Sequence, residues 1–96
     1  MTKEEAQAKL AECRLKIDDI DIRILQLLNE RTRVVEIIGG IKQRAALPVY
    51  EPKREDEVYR NILEHNEGPL PADAVKRVFE RVIDEMRTLQ KMRNQK

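Results

Sequence analysis

Ninety-six residues allow one domain at most, spanning 1–96. With 41% hydrophobic residues, 3% aromatics and no Trp, the core has to be built from Ile, Leu, Val and Ala. Nineteen Lys and Arg against eighteen Asp and Glu leave a net charge of +1, which argues against a nucleic-acid partner but leaves room for a local cationic pocket.

One cysteine, Cys13, and one histidine, His65, exclude an intrachain disulfide and a thiolate metal site. No carboxylate cluster replaces them, so no metal and no other cofactor is expected. There is no secretory leader pattern and no apolar run near 18 residues. The expectation is a soluble cytoplasmic protein without a membrane partner.

Thr2-Lys3-Glu4-Glu5 reads as a capping box that opens a first helix over about 3–44. Leu10, Ile17, Ile24 and Ile38 recur on a seven-residue spacing, and Ile20, Leu27, Val34 and Ile41 fill the second seam position. Forty residues of helix would be on the order of 60 Å long. A compact chain of this size is only roughly 30–35 Å across. Such a helix needs cover for its apolar stripe, and a second copy of the chain is the simplest source. Gly39-Gly40 keeps the helical register and marks a place where backbone or ligand comes close.

Pro48 breaks the chain in a short loop, and Pro52 opens a second helix over about 52–66, with Glu51 before it. Its apolar face is Val58 and Ile62, flanked by Tyr59 and Leu63. Gly68-Pro69 is the stop signal. A third helix over about 71–92 carries the stripe Val75, Val78, Phe79, Val82, Ile83, Met86 and Leu89, and Arg93 to Lys96 are expected to fray. Nothing reads as a strand, so the fold class is all-α.

The unusual residues are polar ones on apolar lines. Arg31 takes the seam place between Ile24 and Ile38, and a buried guanidinium needs an anionic partner from the chain or from a ligand. Lys42 follows eleven residues later, on the same face to within about 20° and on the order of 16 Å away. Arg14 lies about 25 Å from Arg31 along the axis, too far for one straight helix to bring both to one pocket, although a second copy could supply it. Arg54 shares the line of Val58 and Ile62 and is expected to face inward, with Glu55 beside it. Gln90 continues the line of Phe79, Ile83 and Met86. This inventory suits a small polyanion and offers little for nucleophilic or acid–base chemistry.

Taken together, Arg14–Asp21, Leu28–Arg31, Gly39–Lys42, Pro48–Glu55 and Gln90 resemble the all-helical (AroQ) class of chorismate mutases, over about residues 5–90. The resemblance implies an intertwined homodimer whose long first helices span both subunits, and conversion of chorismate to prephenate for phenylalanine and tyrosine. By residue it implies that Arg31 and Arg14 of the partner subunit hold the substrate carboxylates. Lys42 and Gln90 would hydrogen-bond the ether oxygen, Glu55 would accept from the ring hydroxyl, and Arg54 would order that end. Glu51 and Met86 would line the substrate. Met86 stands where some members carry a small hydroxyl residue, so no hydroxyl contact is implied there.

Other readings of the same residues stay open. Arg31 also suits a register-setting ion pair with Glu30 or Glu36, Arg14 a solvated salt bridge, and Glu55 an acid at a helix N-terminus. Alternative functions are an isochorismate pyruvate lyase of the same fold, a non-catalytic dimerisation or regulatory module, and a coiled-coil adaptor.

Overall fold

The computed structural model describes residues 1–94. It contains three α-helices in the order α1 (Lys3–Arg44), α2 (Pro52–His65) and α3 (Ala72–Asn94), with no strand among the described residues. The chain separates into two compact units, Met1–Val34 and the part from Val35 onward.

In the first unit the Thr2 hydroxyl accepts the Glu5 N–H at 3.1 Å, which satisfies one of the unpaired donors at the start of α1. Glu4 and Glu5 in the first turn complement the positive end of the helix dipole. The seam residues Leu10, Ile17, Ile20, Ile24, Leu27 and Val34 are all exposed within this chain, and so are Leu15, Ile22 and Leu25, which lie roughly 110–170° round the helix from the seam. Leu15 at 70% and Leu27 at 64% are open to a degree that core residues never are. Apolar side chains this exposed, on more than one side of a helix, mark interaction faces.

The second unit holds the core, Val35, Val75 and Ile83, all under 8% exposed. Half-buried Val58, Tyr59, Ile62, Phe79, Val82, Met86 and Leu89 surround it. Val78 is a correction to the expected stripe, being 54% exposed. At 100° per residue it lies about 80° from the centre of the face that the other six define, which leaves it on the flank. On α1 the inward face here is Val35, Gly39 and Lys42, while Ile38 and Ile41 of the heptad pattern remain outside.

The end of α1 is built by a cap that the residue types do not advertise. Ala46 adopts a left-handed conformation (φ 55°). The Leu47 N–H then donates to the Lys42 carbonyl at 2.8 Å, and the Ala46 N–H to the Gln43 carbonyl at 3.3 Å. This is the paired arrangement by which helices satisfy their last carbonyls, usually with glycine at the left-handed position. Between α2 and α3, the Asn66 side chain accepts from the Gly68 N–H at 3.0 Å and donates to the Leu70 carbonyl at 2.9 Å. Gly68 itself has φ +76°, the region that favours glycine.

An alanine in the left-handed region carries a steric penalty of about 1–2 kcal/mol, partly offset by the lower chain entropy it brings to the unfolded state. Ala46→Gly is therefore expected to stabilise the protein by about 0.5–1 kcal/mol. Urea unfolding at fixed protein concentration, followed by circular dichroism, checks the sign.

Candidate functional site

Three side-chain arrangements in the second unit concern the polar residues singled out by sequence. The first is the seat of Lys42. Its ammonium donates to the Val49 carbonyl at 2.9 Å and meets Glu51 Oε1 at 2.9 Å, and its side chain is only 11% exposed. The chain thus brings its own carboxylate to a largely buried cation, which removes the penalty of leaving it unpaired. Because Glu51 is spent on Lys42, it makes no side-chain cap for α2, which starts instead on Pro52. An ammonium has three N–H donors. Two are used here.

The second arrangement joins α2 to α3. Arg87 Nε donates to Glu55 Oε2 at 3.1 Å, and Arg87 Nη2 donates to Oε1 of the same carboxylate. Such two-pronged pairing fixes both position and plane of the carboxylate. Both side chains are mostly covered, 27% exposed for Arg87 and 20% for Glu55. The Arg87 guanidinium also lies 4.8 Å from the centre of the Tyr50 ring, within cation–π range, and 3.6 Å from Asp84. The hydrogen bond to Glu55 holds the guanidinium above its ordinary pKa against the opposing effect of desolvation. Next to this pair, burial first and then the carboxylates Glu80, Glu55 and Asp84 push the Tyr59 phenol above its ordinary value, so it stays a neutral donor.

The third arrangement is Gly39 against Gln90. A β-carbon on Gly39 would stand at ordinary contact distance, 3.5 Å, from Gln90 Cγ, so an alanine would fit and only a larger side chain would have to push Gln90 away. Gln90 Oε1 is buried without a hydrogen-bond partner. A buried amide atom left unpaired costs about 1–3 kcal/mol unless a ligand or water completes it. Beside these two residues opens a cavity of about 150 Å³, lined also by Val35, Gly40, Leu89 and Arg93. Arg93 reaches Glu36 at 3.2 Å across its rim.

Lys42, Glu51, Glu55, Met86 and Gln90 thus all belong to the second unit, and all but Glu51 are half-buried or more. Arg14 and Arg31 belong to the first, where Arg14 is exposed and Arg31 half-buried. Arg54 departs from its expected inward orientation. It is 64% exposed and pairs with Glu57 at 3.3 Å, one turn along the same helix. Val58 and Ile62 on its line are themselves only half-covered, so one turn nearer the helix start a long cationic side chain gains more from solvent and a neighbouring carboxylate. Sequence reasoning missed Arg87 altogether. It sits at the margin of the apolar stripe of α3, where an arginine ordinarily reads as a solvated edge. The available signal was its spacing of three residues from Gln90, which puts the two one turn apart on one side of the helix.

The unit thus offers a covered ammonium with a spare donor, an unpaired amide and a rigidly held carboxylate, of which only the amide of Gln90 lines the cavity; Lys42, Glu55 and Met86 do not. No triad of nucleophile and base accompanies them, and no group of three or more metal-ligating side chains is present among the described residues. Such a set can bind and polarise a small anionic ligand. It is not equipped for proton relay or covalent catalysis.

Comparison with known proteins adds the following. Residues 13–91 match the family described as chorismate mutase type II. The chain is 39% identical over 87 residues to a bifunctional chorismate mutase/prephenate dehydratase of Aquifex aeolicus, an alignment covering 86% of this chain and 24% of that protein. It is 36% identical over 87 residues to a chorismate mutase of Methanocaldococcus jannaschii, covering 86% and 85% respectively. The chain therefore spans about a quarter of the Aquifex relative but most of the Methanocaldococcus one. A solved chorismate mutase from Thermus thermophilus superposes with a TM-score of 0.84 at 31% identity, covering 86% of this chain and 94% of that one.

The Gly39–Gln90 contact is open to a graded test. Gly39→Ala places a methyl group at ordinary contact distance and gains about 0.8–1 kcal/mol of helix propensity, so the thermal midpoint is expected to hold or rise. Gly39→Leu has to displace Gln90 and is expected to destabilise by about 1–3 kcal/mol. Thermal unfolding followed by circular dichroism distinguishes the two.

Proposed function

We infer the activity from a premise now in hand: this chain belongs to the chorismate mutase type II family, and its site is fitted to rearrange chorismate into prephenate. The observation that carries the reading is Lys42, a mostly covered ammonium with two internal acceptors and a third donor left over.

The reaction is an intramolecular Claisen rearrangement. A C–O bond breaks as a C–C bond forms, and no proton has to move. What the protein must supply is a folded-over substrate conformation and stabilisation of negative charge on the ether oxygen. In our reading Lys42 directs its third donor at that oxygen. Val49 and Glu51 hold the ammonium in place beforehand, so little reorganisation is needed when the bond breaks. Gln90 assists. Turned about its last bond, the amide exchanges Oε1 for Nε2 and offers a donor where an unpaired atom now sits. Glu55, oriented by Arg87, accepts from the ring hydroxyl. Met86 and the cavity wall supply apolar contact, which raises the strength of each polar one by excluding water.

The two substrate carboxylates are assigned to Arg31 and to Arg14 of the partner subunit. The exposed apolar faces of α1 support a homodimer, since a second copy of the same surface would cover them. Arg54, engaged with Glu57, would have to change partners to contribute. No helix among the described residues is long and apolar enough to cross a membrane. The place of the reaction is the branch leading to phenylalanine and tyrosine, a cytoplasmic setting in our reading.

Purified protein is expected to consume chorismate, read as loss of its ultraviolet absorbance, and to leave isochorismate unchanged. Lys42→Ala should lower kcat about 10²–10³-fold, the range seen when one donor to a developing oxyanion is removed.

The shared site has its own test. Arg14→Ala and Lys42→Ala subunits, mixed in equal amounts and refolded together, should recover about a quarter of wild-type activity, because half the dimers are mixed and each contains one intact site. If Arg14 serves its own subunit instead, mixing restores nothing.

A further inference from the structure

Glu55 carries the role of hydroxyl acceptor in the proposed function, yet nothing about that role requires a second charged residue. The structure nevertheless presents one. Arg87 uses two N–H groups on the two oxygens of Glu55, and its guanidinium plane lies over Tyr50. Tyr50 stands between Val49 and Glu51, the two residues that seat Lys42. Three residues further along α3 is Gln90. One side chain is therefore in contact with the acceptor carboxylate and with the loop that positions the ammonium, and it shares a helical turn with the amide.

We propose that Arg87 is a positioning residue for this site: its guanidinium fork fixes the plane of the Glu55 carboxylate, and the Tyr50 ring beside the guanidinium helps to hold that fork in place. The inference rests on the mutase reading above and deepens it. Arg87 is assigned no substrate contact in this scheme: two of its five N–H donors serve Glu55, and Nη1 faces Asp84 at 3.6 Å. Its effect comes from restriction. A glutamate side chain has three rotatable bonds, and an ordering cost met during folding is not incurred again when substrate binds. Each carboxylate oxygen retains a lone pair after accepting from Arg87, and the fork determines where those lone pairs point. A lysine would keep the charge but lose the fork and the flat stacking surface.

A structural ion pair would look the same in a static picture, so the test must separate the two. A hydroxyl contact made equally in the ground state and the transition state affects KM and leaves kcat. Arg87→Met is therefore expected to raise KM for chorismate about tenfold with kcat within about twofold of wild type, and Arg87→Lys to fall between. Glu55→Gln should give a similar KM. The double variant Arg87→Met/Glu55→Gln should be no worse than the poorer single one, because Arg87 acts through Glu55. Circular dichroism melts accompany each protein, and Arg87→Lys carries the test if Arg87→Met does not fold. Unchanged KM in a folded Arg87 variant, or losses that multiply in the double variant, overturn the inference and leave the mutase reading intact. Wild-type protein that does not convert chorismate overturns both.

Discussion

The seat of Lys42 is the constraint on which the other features turn. Its ammonium is nearly covered, and a covered cation is tolerable only with partners close at hand. Val49 and Glu51 are those partners, and meeting them dictates the path of the loop between α1 and α2. The left-handed turn at Ala46 permits that path, since it closes α1 on the carbonyl of Lys42 itself and sends the chain back past the side chain of the same residue. The result places Tyr50 over Arg87 and starts α2 at Pro52, so that Glu55 falls in its first turn facing α3. A single largely covered charge thus organises the loop between α1 and α2.

The packing around it is correspondingly economical. Among the described residues the buried apolar side chains are Val35, Val75 and Ile83, while Val58, Ile62, Phe79, Met86 and Leu89 are half-covered. Polar contacts therefore bear more of the geometry than they would in a larger domain. The Arg87–Glu55 fork joins α2 to α3, and the Arg93–Glu36 pair joins α3 to α1. Gly39 lies beside Gln90 on the wall of the cavity, where a side chain larger than a methyl group would press on the glutamine.

Chemistry of this kind asks little of side-chain reactivity and much of side-chain placement. A rearrangement without proton transfer gains from fixed donors in dry surroundings, and in this chain neighbours fix Lys42 and Glu55 while Gln90 Oε1 is left unpaired. The apolar side chains from Leu10 to Val34 are exposed within one chain, a surface that calls for cover.

Helical periodicity, Pro and Gly punctuation and the capping pattern at Thr2 were enough to place three helices near their observed bounds, because these signals are local and act within a few residues. Sequence spacing also marked Lys42 at the border of the heptad seam and Gln90 on the line of Phe79, Ile83 and Met86, whereas Glu55 drew notice only as the neighbour of Arg54 and through the family resemblance. It could not show which way a side chain at the end of a stripe turns. Arg54 follows the line of Val58 and Ile62 yet goes to solvent, and Arg87 lies off the stripe yet holds the best-covered carboxylate of the unit. Nor could it foresee a left-handed alanine as the cap of α1, since that conformation follows from closing the loop onto Lys42 and not from any preference of alanine. Local propensity determines where helices run. Pairing of charges across helices depends on distances between residues far apart in the chain, here Glu55 and Arg87, 32 positions apart, and tertiary packing alone sets those.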